Sequence, residues 1–223
     1  MRAMIAARVR QLAQAFDQRA PGDEELLSLS EQGELLVAVA TSAYGEIVRI
    51  GRAFETHTTA AVAAAIAVPT TARLLGIYNG DADDGYSAII DRVWALQLAS
   101  AATAGQAALI GCLGQTRVAA PAAAALALNP LNGMSGKDSK EIITTAALDA
   151  VTGVAGNWRL LPGQTGGAHP GAAATPGMFL NAEVNGRIIV PPGRDFGVHV
   201  LADAVTSTFI VGIEWHRKNV KLG

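Results

Sequence analysis

The chain has 223 residues, with 17 Lys and Arg against 19 Asp and Glu, so its formal charge is −2 and its pI is near 6.1. That balance excludes the basic surplus that a nucleic-acid or anionic-membrane footprint needs. Half of the residues are apolar but only 5% are aromatic, so the core, or an interface, is built from small side chains, over a length that suits two small domains or, as favoured here, one large all-β domain with an appendage.

From the N-terminus, Ile5, Val9, Leu12 and Phe16 recur at helical spacing, with Arg2, Arg8, Arg10 and Arg19 mostly on other faces. An amphipathic helix or arm over about 3–19 is expected, either docking on a partner subunit or covering one end of the main domain. Charge breaks Met1 to Arg8 too early for a secretory signal, and the apolar run from Ala60 to Val68 is shorter than the roughly 18 residues of a spanning helix, so a soluble protein made inside a cell is expected. Pro21-Gly22-Asp23 stops the helix, and one further helical turn is expected over Asp23-Glu24-Glu25-Leu26-Leu27.

From Gly33 the pattern changes to strands. Glu34–Thr41 and Glu46–Thr56 flank a turn at Ala43-Tyr44-Gly45, and an extended segment is favoured over a helix from Thr58 to Val68. Strands follow at Thr71–Tyr78, at Tyr86–Ser100 with Ile90, Val93 and Leu96 as its apolar line, and at Gln106–Val118. An alanine-rich stretch to Leu128, a loop over 129–139 and an apolar pattern over 141–150 come next. The glycine-rich run from Gly163 to Gly177 reads as an exposed loop ahead of a strand over Met178–Val184. Asn185-Gly186 is the strongest hairpin signal, since a type I′ turn needs positive φ at both positions. Val198, Val200 and Ala202, then Phe209, Val211, Ile213 and Trp215, alternate as half-buried strands after a Pro191-Pro192-Gly193 turn. The reading is an all-β, jelly-roll-like β-sandwich over 33–223, preceded by a short N-terminal helix or arm over 1–32.

Chemistry-bearing motifs are sparse. Gly136-Lys137-Asp138-Ser139 departs from a phosphate loop, and Gly133-Met134-Ser135-Gly136 lacks the spacing of a nucleophile elbow, so no catalytic residue and no cofactor is expected. Asn79, Asp81, Asp83 and Asp84 gather oxygens in one loop and form a weak calcium candidate, against a solvated turn. His57, His169, His199 and His216 have no metal-ligand spacing, and a cupin-like site would need His199 and His216 to converge. Cys112, with apolar neighbours Ile110 and Leu113, reads as a buried core side chain. Trp94 and Trp215 lie within apolar strands and read as core, whereas Trp158 is the better candidate for exposure.

Several segments carry a resemblance: Val68-Pro69-Thr70-Thr71 leading into Leu74 to Gly80, Tyr86 to Trp94, Val184 to Gly193, and the closing Val211-Gly212-Ile213-Glu214-Trp215. In this order they resemble the jelly-roll virion structural proteins of tailed bacteriophages, over most of the chain after about residue 33. The resemblance implies a capsid decoration (cement) or spike protein, or a tail-associated part, commonly a homotrimer located on the virion and contacting other virion proteins such as the major capsid protein. Where this chain has Trp215-His216-Arg217, similar proteins place an acidic residue after the tryptophan. Alternatives are a receptor- or glycan-binding head that uses loops 79–85 and 163–177, and a cupin-like metalloenzyme. Candidate interface residues are Ile5, Val9, Leu12 and Phe16 in the arm and Val62 and Ile66 in the first alanine-rich stretch, where small side chains permit close approach at a symmetry axis.

Overall fold

A computed structural model describes residues 43–100, 105–122, 125–133, 139–162, 166–169 and 177–220. The helix expected over 3–19, the further turn after Asp23 and the strand expected over 34–41 lie outside these residues. The chain divides into two units, Met1–Ile50 and Gly51–Gly223.

In the first unit, helix α1 spans Ala43–Arg49, where a turn and the start of a strand were expected. Ile47 and Val48 suggest a strand, but Glu46 in the first turn and Arg49 in the last complement the helix dipole. They also bond to each other, Arg49 Nε donating to Glu46 Oε2 at 2.6 Å.

The second unit is built from strands β1 (Ala53–His57), β2 (Val62–Ala63), β3 (Leu75–Asn79), β4 (Ser87–Ala99), β5 (Gly105–Leu113), β6 (Asn129–Pro130), β7 (Glu141–Thr144), β8 (Trp158–Leu160), β9 (Gly166–His169), β10 (Phe179–Val190), β11 (Asp195–Ala202) and β12 (Thr208–Lys218). Two antiparallel sheets result. One runs β10-β4-β12-β1-β6 with β2 added to β12, and the other β7-β3-β11-β5-β8 with β9 added to β5. The pairs β1·β12, β3·β11, β4·β10 and β5·β8 are nested like the rungs of one long hairpin, and successive rungs alternate between the sheets. That rolled hairpin is the jelly-roll arrangement expected from the strand count.

Period-2 alternation explains the core. Phe209, Val211, Ile213 and Trp215 of β12 point inward, as do Phe196, Val198, Val200 and Ala202 of β11. Trp215 stacks on Phe54 of β1 with ring centroids 5.7 Å apart. Leu75, Ile77, Ile90, Val93, Leu109 and Leu180 fill the remaining space between the sheets.

Four local expectations change. Asn185 (φ 50°) and Gly186 (φ 75°) do adopt positive φ, but the chain does not reverse there. Instead β10 stays paired with β4, and the register slips from Glu183↔Arg92 to Ile188↔Ile90, five residues of one strand against two of the other. The pair makes a bulge because β4 is long enough to hold both halves of β10. Within the expected glycine-rich loop, Gly166–His169 forms β9 and pairs with Gly105 to Ala108. The loop expected over 129–139 opens with β6, which pairs with Phe54 and Glu55. The strand expected to reach Val118 ends at Leu113.

Candidate interaction surfaces

Pairing registers lay out the outer face of the β10-β4-β12-β1 sheet row by row. Glu183, Arg92, Glu214 and Glu55 stand opposite one another across the four strands. Arg92 Nη2 bonds to Glu214 Oε1. Burial raises the Glu214 carboxyl above its ordinary pKa and Arg92 lowers it, while Glu55 and Asp91 push it up again, so the net shift is upward.

Two residues along lie Asn181, Trp94, Gly212 and His57. The Trp94 indole lies across Gly212, where a Cβ would come within 2.2 Å of the ring. Phe179 stacks beside it at 6.3 Å and 27°, and His57 stands on its other side at 6.2 Å and 44°. The next row holds Phe179, Leu96 and Ile210. Phe179 (54%), Leu98 (57%) and Leu96 (36%) remain exposed, and together with Trp94 they form an apolar strip. On the other side of the acidic row, His216 Nδ1 lies 2.9 Å from both carboxylate oxygens of Asp91.

The core position expected for Trp94 is therefore corrected. Between Ile90 and Val93, both inward, β4 bulges against β12, and this puts Trp94 and Leu96 on the outer line. Trp158 is corrected the other way, since it is buried and its Nε1 donates to Thr70 O at 3.0 Å.

The opposite sheet's outer face is covered over β3, β11 and β5 by the chain itself, while Leu160 on the β8 edge stays 64% exposed. Ile110, Cys112, Leu148 and Trp158 form a second apolar cluster there, with His199 edge-on to Trp158 at 6.3 Å. Paired Gly76 and Gly197 leave a trough that holds the Arg73 side chain; a Cβ on Gly76 would meet it at 2.3 Å. Arg73 Nε donates to Ala146 O at 2.6 Å, and its Nη1 stands 3.8 Å from Asp195 Oδ2. Thr152 donates to Asp195 Oδ1 at 2.6 Å, and the Cys112 thiol, whose pKa burial raises to about 11, donates to Thr152 O at 3.2 Å. His199 and His216 thus lie on opposite outer faces and do not converge. Side-chain surroundings of His169 lie outside the description.

At one end of the sandwich, the loop after β3 is tied to the strand ends. Asn79 is fully buried and donates to Tyr86 O and Val190 O at 2.8 and 2.9 Å. Burial alone would raise the Asp81 carboxyl, but the N–H groups of Tyr86 and Ala82, with Arg217, carry it below its ordinary value. Arg217 Nη2 donates to Asp81 Oδ2 at 2.6 Å, and the Arg52 and Arg217 guanidinium groups flank the Tyr86 ring at 4.7 and 5.1 Å. Asp83 pairs with Arg117, and Asp84 is exposed. Among the described residues, no three His, Cys, Asp or Glu side chains gather as a metal site. Beside this loop opens a cleft of about 920 Å³, lined by Asp83, Ser87, Leu113, Pro191, Arg194 and Asn219 among others.

Of the candidate interface residues, Val62 packs partly buried against the main core and Ile66 is 67% exposed. Ile5, Val9, Leu12 and Phe16 lie outside the described residues. Ala60, Ala61, Ala63 and Ala67, and then Ala119, Ala120, Ala122, Ala125 and Ala127, are on the surface, while Ala64 is buried.

No protein-family model matches the chain, and no curated protein matches it. Among solved structures, one described as "Israeli acute paralysis virus heated to 63 degree - full particle" aligns over 99% of this chain and 88% of that one, at 11% identity and a TM-score of 0.22. A superposition that loose carries no argument about fold or function.

Proposed function

We propose that the protein is a structural component of a virus particle, a bacteriophage decoration or spike protein that assembles with itself, most simply as a trimer, and with neighbouring virion proteins. The observation that carries this reading is the filled interior. Where a ligand-binding jelly roll keeps a polar cavity between its sheets, this one packs Phe54, Leu75, Phe196, Phe209, Ile213 and Trp215. Function then falls to the surfaces, and these carry two alanine-rich stretches of the kind that close subunit contacts use. Fold alone does not assign a role, so the resemblance in sequence order supplies the word virion.

Light scattering on the purified full chain, in calcium and then in chelator, tests the reading. A stable mass of three chains supports it, and dissociation on chelation shows that a divalent cation holds the subunits together. A monomer in both conditions that also fails to join particles supplied with the other virion proteins overturns it.

A further inference from the structure

We infer that the outer face of the β10-β4-β12-β1 sheet docks a basic amphipathic polypeptide segment, with apolar side chains on the Trp94 strip and lysine or arginine on the acidic row beside it. The inference is independent of the particle to which the protein belongs.

Two features of the face select this chemistry. The strip of Trp94, Leu96, Leu98 and Phe179 offers apolar area across neighbouring strands, on a sheet whose inner side is already fully used by the core. The adjoining row then sets three carboxylates, Glu55, Glu183 and Glu214, against the single guanidinium of Arg92. Arg92 is committed to Glu214. Among the described residues neither Glu55 nor Glu183 meets a cation at ion-pair distance, and Glu183 accepts only from Asn181 Nδ2, at 2.7 Å. Glu55 directly opposite Glu214 is an unfavourable cross-strand pair, which a cation from outside would relieve. Asp91 adds a further carboxylate, partnered by His216. An acidic row beside an apolar strip repels nucleic acid and anionic lipid and attracts a segment whose charged residues flank an apolar stripe.

The test uses the full chain and two short synthetic amphipathic peptides, one of leucine and lysine and the other with glutamate for each lysine. Tryptophan fluorescence follows binding, and the Trp94→Phe variant assigns the signal, since Trp158 and Trp215 are buried. Expected is saturable binding of the lysine peptide alone, weakened about tenfold by added salt. The double variant Glu55→Lys with Glu183→Lys, shown by circular dichroism to be folded, then loses the lysine peptide and gains the glutamate peptide, and Leu98→Ser weakens both. Equal binding of the two peptides, or binding untouched by the charge reversal, overturns the inference, as does no binding at all. A salt-independent response to oligosaccharides that Trp94→Phe abolishes, with no peptide response, overturns it in favour of a glycan platform.

Discussion

The two outer faces of the sandwich are finished in opposite ways. On the β3-β11-β5 side the segment after β7 folds back over the sheet, seating Leu148 and Trp158 on it and anchoring itself by Leu148 N–H to Thr71 O at 2.8 Å and by Thr152 to Asp195. On the β10-β4-β12-β1 side, Leu96, Leu98 and Phe179 stand exposed next to a row of carboxylates. A sheet with one face in the core must do something with the other, and among the described residues the chain covers one sheet with its own loop and leaves apolar side chains exposed on the second. The covered side gives a large expected effect. Arg73→Ala removes the guanidinium beside Asp195 and the bond to Ala146 O, leaving a buried carboxylate with Thr152 as its remaining side-chain partner among the described residues, so a loss of about 3–5 kcal/mol is expected in urea unfolding. A loss under about 1 kcal/mol would mean that water reaches Asp195 and that this face is less closed than its contacts indicate.

Much of this contrast was hidden from the sequence for identifiable reasons. Strands β11 and β12 were legible because inward positions such as Val198, Val200, Val211 and Ile213 keep strict period 2. Trp94 reads as core in the sequence because nothing there marks the β4 bulge around Asp91, and past that point the outward line Trp94, Leu96, Leu98 is as apolar as the inward line Val93, Ala95. Asn185-Gly186 had the right φ signs, but local turn chemistry cannot tell a reversal from a bulge when the partner strand continues. Arg73 gave no signal of its own. The readable clue was a pair of glycines, Gly76 and Gly197, inside otherwise strong strands, where a missing Cβ marks a close approach from above.

Acidity separates the two faces by sign. His199 on the covered face is held below its ordinary pKa of 6.5, chiefly by burial and only partly offset by its bond to Val200 O. Above 6.5 both folded and unfolded chains hold it neutral. As pH falls below that value the unfolded chain takes up the proton first, so stability is lost through the window beneath 6.5. Glu214 on the open face is held above its ordinary 4.5, so the folded chain binds its proton first and acidification through that window adds stability. Thermal unfolding of the parent and of His199→Gln across this range is the check. The variant should lose the decline just below 6.5, and an unchanged slope would place its origin in another group.

The smallest expected effect is also the sharpest test of the open face. Leu98 is 57% exposed, so Leu98→Ala removes little buried area and should move unfolding stability by no more than about 0.5 kcal/mol in dilute protein. The same truncation under a covering segment would cost several times more, because the lost contacts leave a cavity. A loss near 2 kcal/mol that does not vary with protein concentration would show that the chain covers this strip in solution, and the two faces would then be alike. A loss that grows with concentration would show a second copy seated on the strip, since association stabilises the folded state by mass action and only a partner on that surface makes Leu98 count.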